Sequence, residues 1–202
     1  MKYLQVDDTF LDMLRSFAVF IPIIEVDDKD HILFEVRSNI VSQPGEVSFP
    51  GGALEKDEDF KEAAIRETME ELNLKRDEIT YLGYSSMMLT SNYKHIKSFY
   101  GRINKKLEEI KYNREVESVF TVDIDYFINN PPISYRSPYK IDFPKDFPFD
   151  KIPNGRDYKF QTGYHEVFFY DTKPVIWGFT AKMLKNFIES WSYDEKWYFT
   201  KN

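Results

Sequence analysis

One stretch constrains this chain more than any other. Glu46 to Phe49 reads as a short strand that breaks at Pro50-Gly51-Gly52, and a polar linker then leads into a helical pattern over residues 60 to 72. Asp59 is a good N-cap, and Glu62 three positions later can reach back toward it as in a capping box, so the helix starts at about Phe60. Asn73 supplies the stop, because after glycine it best tolerates the left-handed conformation that ends helices. At about 3.6 residues per turn, Ile65, Met69 and Leu72 fall on one side, the core face. The opposite side carries Glu67, Glu70 and Glu71, with Ala63 and Ala64 one turn before them.

Carboxylates at i, i+3 and i+4 repel one another, by a few tenths of a kcal/mol per pair. Two readings of the triplet compete. In one, the helix shows an acidic, solvated face laced by pairs between Glu62 and Arg66 and between Arg66 and Glu70. In the other, the patch holds a hard divalent cation, Mg²⁺ or Mn²⁺, which prefers oxygen ligands and keeps positions open for water and phosphate oxygens. The alanines favour the second reading: a merely solvated face tolerates long polar side chains at 63 and 64, whereas two alanines let another segment approach closely. Gly51-Gly52 is the candidate for that segment, since glycine lets backbone carbonyls reach a ligand.

Elsewhere the chain alternates strand and turn signals, and no repeat period is evident. After a short amphipathic opening (Phe10, Leu11, Leu14), residues 17 to 26 and 31 to 37 are rich in Val, Ile and Phe and flank Asp27-Asp28-Lys29-Asp30, which predicts a hairpin. Residues 38 to 45 read as a loop, and strands are expected at 79 to 89, at 95 to 103 and around 116 to 122. Residues 131 to 174 differ in composition, with prolines at 131, 132, 138, 144, 148, 153 and 174 and frequent aromatics. They lack helical apolar periodicity and enough aliphatic residues for a core of their own. The expectation is one domain over residues 1 to 202, with a partly extended excursion at about 131 to 174. Within it, Tyr158, Phe160, Tyr164, Phe168 and Phe169 flank Thr162-Gly163 and suggest a hairpin. Met183, Leu184, Phe187 and Ile188 then fall at helical spacing in a closing helix from about Thr180 to Trp191.

Charge and composition exclude several functions. A net charge of -7 argues against a nucleic-acid polymer as partner, which requires clustered Lys and Arg. Small phosphates remain compatible, because a bound cation offsets local negative charge. With no cysteine there is no disulfide, thiol nucleophile or zinc-thiolate site. His31, His95 and His165 lie far apart in sequence and read as packed or solvated. The first residues, MKYLQVDDTF, carry acids where a signal peptide is apolar, and the run from Phe17 to Ile24 is interrupted by Pro22 and too short to span a bilayer. A cytoplasmic protein with no membrane partner is expected.

The spacing Gly52, five residues, Glu58, seven residues, Arg66-Glu67, two residues, Glu70-Glu71 resembles the Nudix box. With six fixed positions at roughly one in fifteen each, chance agreement is about 10⁻⁷ per starting point. Asn73 stands where that family usually has glycine and can supply the same backbone conformation; Thr68 stands at a usually aliphatic position. The resemblance implies an α/β fold with a mixed β-sheet sandwiched between α-helices. It implies that Glu67, Glu70, Glu71 and the carbonyl of Gly52 hold Mg²⁺ or Mn²⁺, and that Arg66 and Glu58 pair to orient loop and helix. The reaction implied is attack of water on a diphosphate, with a carboxylate as base. Glu67 is the family's usual base within the box; Glu115 and Glu117 in REVESVF stay open as downstream alternatives.

Upstream, residues 33 to 52, LFEVRSNIVSQPGEVSFPGG, resemble the extension that marks coenzyme A diphosphatases within the family, with Arg37, Ser38, Gly45 and Phe49 to Gly52 matching. Between Ser38 and Gly45 the chain is one residue short of that pattern and has Ser42 where the subgroup has arginine, a departure that touches the substrate and not the hydrolase. With EVESVF and the later WGFTAKML, the resemblance covers most of residues 15 to 190. Arg37, Ser38 and Gly51 are the expected substrate contacts; Arg37 suits a bidentate phosphate fork and equally a surface ion pair. The aromatics of the excursion are read as cross-strand pairs, with stacking on adenine, and Arg136, Lys140, Arg156 or Lys159 near a 3′-phosphate, as the alternative. The expected partner is a small-molecule nucleotide diphosphate: coenzyme A or its thioesters first, then ADP-ribose, NADH or another conjugate. A non-catalytic nucleotide-binding module is the alternative of another class. A homodimer is left open.

Overall fold

A strand rich in Val, Ile and Phe, Arg15–Val26, forms β1 at the centre of the main sheet. The computed structural model describes residues 15–90 and 93–199, with side chains as far as Trp191, so the opening expected at Phe10, Leu11 and Leu14 lies outside the described residues. β1 turns through Asp27 and Asp28, at φ 51° and 59°, into β2 (Lys29–Arg37), the two-residue primed turn that suits a twisted hairpin. Past Ile23 and Ile32 the two strands stop pairing, and the next segment fills the fork between them. β3 (Val47–Ser48) pairs with β2, and β4 (Gly51–Ala53) pairs with β1. The expectation of a strand ending at Gly51-Gly52 is corrected by this second pairing.

The remaining strands appear where the residues predicted them: β5 (Ile79–Leu89), β6 (Lys94–Ile103) and β7 (Val116–Asp123). β6 runs parallel to β1 and every other pairing in this seven-stranded sheet is antiparallel, so the sheet is mixed, in the order β3-β2-β1-β6-β5 with β7 on β2. Alternation along β1 divides the core. Ala18, Phe20 and Ile24 face the helix α1 (Phe60–Glu71), while Ile21 and Ile23 face α2 (Ile124–Asn129) and the closing helix α3 (Gly178–Phe199). Met183, Leu184, Phe187 and Ile188 are buried as their spacing predicts. Among the described residues, no helix is long and apolar enough to cross a membrane.

The aromatic segment is only partly an excursion. β8 (Ile133–Pro138), β9 (Tyr164–Tyr170) and β10 (Ile176–Trp177) form a second sheet, and Phe168, Tyr170 and Ile176 enter the core beneath α3. The hairpin expected around Thr162-Gly163 does not form, because Tyr164–Tyr170 takes its partner from Ile133–Pro138. Residues 139 to 163 instead arch outward around their own rings: Phe143 lies 4.6 Å from Phe147 and 4.7 Å from Phe160. Cross-strand contact, the role expected for these aromatics, is kept by Tyr135 against Phe169, at 5.7 Å.

Candidate active site

The fork between β1 and β2 brings β4 beneath α1. Gly51 fits because a Cβ there would strike the Ala18 carbonyl and come within 2.8 Å of the Val19 Cα, so only glycine lets β4 lie this close to β1. At Gly52 a Cβ would enter the space held by the Glu67 carboxylate. The sequence predicts an approach of the glycines to the helix at Ala63 and Ala64, on the side away from the core; the structure corrects this, since the group that meets Gly52 is the Glu67 carboxylate. Ala63 and Ala64 are fully buried with Ala18 and Phe20, so the small residues seat the helix on the sheet.

Local chemistry sets the ends of α1. Asp59 Oδ1 accepts from the Glu62 N–H at 2.9 Å. The Glu62 carboxylate turns away to Lys61 and Arg76, so one half of the capping box forms. At the other end Asn73 adopts φ 49°, and the Leu74 N–H closes on the Met69 carbonyl at 3.0 Å.

Arg66 is the hub of the site. Its Nε and Nη2 grip Glu58 as a fork, at 2.8 and 3.0 Å, and Nη2 also donates to the Ala53 carbonyl at 3.2 Å. Nη1 donates to Glu67 Oε1 at 2.9 Å and reaches Glu70 at 3.5 Å. The Arg66 fork, as the larger cause, lowers the Glu58 carboxyl below the usual glutamate range, and Glu58 holds Arg66 charged.

Projection along the helix sets the three glutamates opposite the core, and the structure corrects that picture. The side chain of Glu70 is 55% exposed and that of Glu67 18%, while Glu71 is buried at 7% and accepts from the Gly51 N–H through Oε2 at 2.9 Å. Met69, expected in the core, is only half-buried. Burial is the leading cause that raises the carboxyls of half-buried Glu67 and buried Glu71, and it pushes Glu71 up to about 7 despite the Gly51 hydrogen bond. Among the described residues, no three acidic or imidazole side chains are gathered so that they could hold a metal ion as they stand. Even so the donors fit a hard divalent cation: all are oxygens, two are carboxyls charged only against the cost of burial, and Gly52 leaves backbone beside Glu67.

Arg37 and Ser38 lie at the end of β2, next to this cluster. Arg37 donates through Nε to the Ser42 carbonyl at 2.8 Å and through Nη2 to the Ser42 hydroxyl at 3.5 Å, so Ser42 positions the guanidinium. Glu35 and Glu71 are electrostatic neighbours of Arg37. Ser38 is buried, and its hydroxyl donates to the Arg114 carbonyl at 2.8 Å, which ties the loop to residues 114–115. Glu115 is an electrostatic neighbour of Glu35, Glu67 and Glu71; Glu117 is the extra residue of a bulge in β7.

Sequence reasoning missed Glu35, which is 2% exposed, on β2, in the same cluster. The signal was present: in LFEVR, period two sets Glu35 on the side of Leu33, a core residue beneath α1, where an acid is out of place.

A NUDIX domain family model matches residues 15–131. Nudix hydrolase 3 of Caenorhabditis elegans is 33% identical over 122 residues, 58% of this chain and 51% of that protein. The peroxisomal coenzyme A diphosphatase of Mus musculus is 30% identical over 124 residues, 60% of this chain and 52% of that protein. The chain spans about half the length of these curated relatives. Among solved structures, a binary complex of a C. elegans Ap4A hydrolase aligns at TM-score 0.48 and 21% identity over 56% of this chain and 83% of that one. The matched residues run from β1 through α2 and include the whole glutamate helix, more than half of the sequence: the chain belongs to the Nudix hydrolase family.

Proposed function

We propose that this protein is a divalent-metal-dependent hydrolase of nucleoside diphosphate derivatives whose substrate is coenzyme A or an acyl-coenzyme A, cut to phosphopantetheine and adenosine 3′,5′-bisphosphate. The observation that carries the hydrolase reading is the seat of Glu67 against Gly52, with Glu71 buried beside it on the Gly51 N–H. The coenzyme A reading is supported by Arg37-Ser38 and Phe49-Pro50-Gly51-Gly52 and by similarity to the mouse coenzyme A diphosphatase.

Glu67, Glu70, Glu71 and the Gly52 carbonyl would hold Mg²⁺ or Mn²⁺. When bound, the cation supplies charge neutralisation at phosphate oxygens and an acidified water. Glu58 and Arg66 lock the linker to the helix, which keeps Glu67 in register with Gly52. Glu67 takes the proton of the attacking water, with Glu115 as the downstream alternative. Arg37, oriented by Ser42, meets phosphate charge at the mouth of the fork.

The test is a mass-spectrometric screen of the purified protein with Mg²⁺ or Mn²⁺ against coenzyme A, acyl-coenzyme A, ADP-ribose and NADH, with an EDTA control. Preferential, EDTA-sensitive release of adenosine 3′,5′-bisphosphate from coenzyme A is expected. Turnover of ADP-ribose or NADH instead discards the coenzyme A reading and keeps the hydrolase; silence on all four from folded protein discards the coenzyme A reading and leaves another nucleotide conjugate as substrate or a binding module. Glu70→Gln, at the exposed edge of the cluster, is expected to lower turnover by about 10²-fold or more with an unchanged circular-dichroism spectrum, and full activity would refute the metal site.

A further inference from the structure

A buried carboxylate ordinarily has a cation or several N–H donors around it, since an isolated one is among the costliest groups to remove from water. Glu35 lacks this. Its Oε1 is buried with no hydrogen-bond partner. Arg37, the cation among its electrostatic neighbours, is held on Ser42. Directly across the β2–β3 ladder from Glu35 stands Ser48, whose hydroxyl is also buried and without a partner. Val47 and Phe49 point into the core beneath α3, so Ser48 between them faces the α1 side, as Glu35 does. Opposed side chains on paired strands lie about 5 Å apart at Cβ. Glu71 completes the set, with one carboxylate oxygen on the Gly51 N–H.

We infer that Glu35 is a fourth carboxylate of the cation site, supplied by the sheet, and that with the Ser48 hydroxyl it forms the inner wall opposite the glutamates of α1. The inference rests on the metal-centre reading above and extends it to a strand outside the glutamate motif. The ligand class is an oxygen-preferring divalent cation, Mg²⁺ or Mn²⁺, because every donor concerned is oxygen and none is sulfur or imidazole. A cation there satisfies the orphaned oxygens of Glu35 and Ser48 at once, which no side chain of the described residues does.

Calorimetric titration of Mn²⁺ into the metal-free protein, with thermal unfolding of the metal-free and loaded forms, tests this without reference to turnover. Glu35→Gln is expected to weaken Mn²⁺ binding by roughly tenfold or more and to shrink the Mn²⁺-induced rise in Tm. The metal-free variant is expected to melt at or above the wild-type temperature, because a buried carboxyl with an unpartnered oxygen has been replaced by a group that never has to ionise. Wild-type affinity in Glu35→Gln overturns the inference and leaves the metal centre standing. Absence of Mn²⁺ binding by folded wild-type protein overturns the metal centre itself. If Glu35→Gln does not fold, Glu35→Asp, which keeps the charge and withdraws it by one methylene, decides: weakened binding supports the inference, while unchanged binding or failure to fold overturns it.

Discussion

Removing divalent cations and then raising the pH is the perturbation to which Glu71 answers most directly. Burial is the first cause of its rise from 4.5 to about 7, outweighing the Gly51 N–H and the attraction of Arg37, while Glu67 and Glu115 add to it. The folded protein therefore keeps a proton that the unfolded chain has already released between those two values. Stability from this group is complete below pH 4.5 and is lost as pH rises through about 7. At ~1.4 kcal/mol per pH unit, keeping Glu71 ionised in the fold at neutral pH costs about 3 kcal/mol. At 7% exposure, solvent screening removes little of that. Glu35 shifts in the same direction, also through burial first, and steepens the slope. Glu58, Glu78 and Asp123 are shifted downward and act below the window.

For a chain of this length, about 3 kcal/mol corresponds to a fall in Tm of roughly 6–12 °C. Scanning calorimetry in EDTA from pH 5 to pH 8 reads it. Glu71→Gln keeps a carbonyl acceptor for the Gly51 N–H but has no proton to lose, so its slope flattens by that amount. Mn²⁺ at about a hundred times its Kd adds about 2.7 kcal/mol near pH 7.5 and less at pH 5, where the proton competes for the same oxygens. A metal-free wild-type Tm that stays level from pH 5 to 7.5, or a Glu71→Gln variant with the wild-type slope, refutes the reasoning.

Gly52→Ala puts a methyl group where the Glu67 carboxylate sits; about 1–3 kcal/mol of overpacking and a roughly 10²-fold fall in kcat are expected, and wild-type kcat would show that the position of Glu67 is immaterial. Arg66→Lys keeps the charge but loses the fork on Glu58, so Tm should fall by about 3–6 °C for a loss of about 1–2 kcal/mol; an unchanged melting curve would count against the hub. Asp59→Ala removes the N-cap acceptor and should cost about 1 kcal/mol with kcat unaltered, measured by urea unfolding beside steady-state turnover.

Elements built from local signals were legible in the sequence. The Asp27-Asp28 turn, the Asp59 cap, the Asn73 stop and the strands β5 to β7 each follow from a few neighbouring residues, and each appears in place. Long-range choices were not legible. The aromatics next to Tyr164–Tyr170 in sequence suggest a local hairpin, whereas its partner, Ile133–Pro138, lies far back along the chain, and Phe160 packs on Phe143 instead. The same limit hid Glu35. A single acid in an apolar strand is conspicuous only once the strand's face is known to lie under the glutamate helix.

The unequal burial of the three glutamates on α1 shows where such a site comes from. Helical projection treats the core as one flat surface, so an acid is either toward it or away from it. α1 does not meet a flat surface. It lies over the point where β1 and β2 part and β4 enters between them, and the Gly51 N–H is presented at the seam. Glu71, one residue past Glu70, turns into that seam, and Glu70 stays in water. The splayed hairpin thus converts a run of like charges on one helix into carboxyls of graded burial. That grading suits cation binding better than a solvated face does: the buried carboxyls gain most from a cation, and the exposed one leaves the approach open to a phosphate.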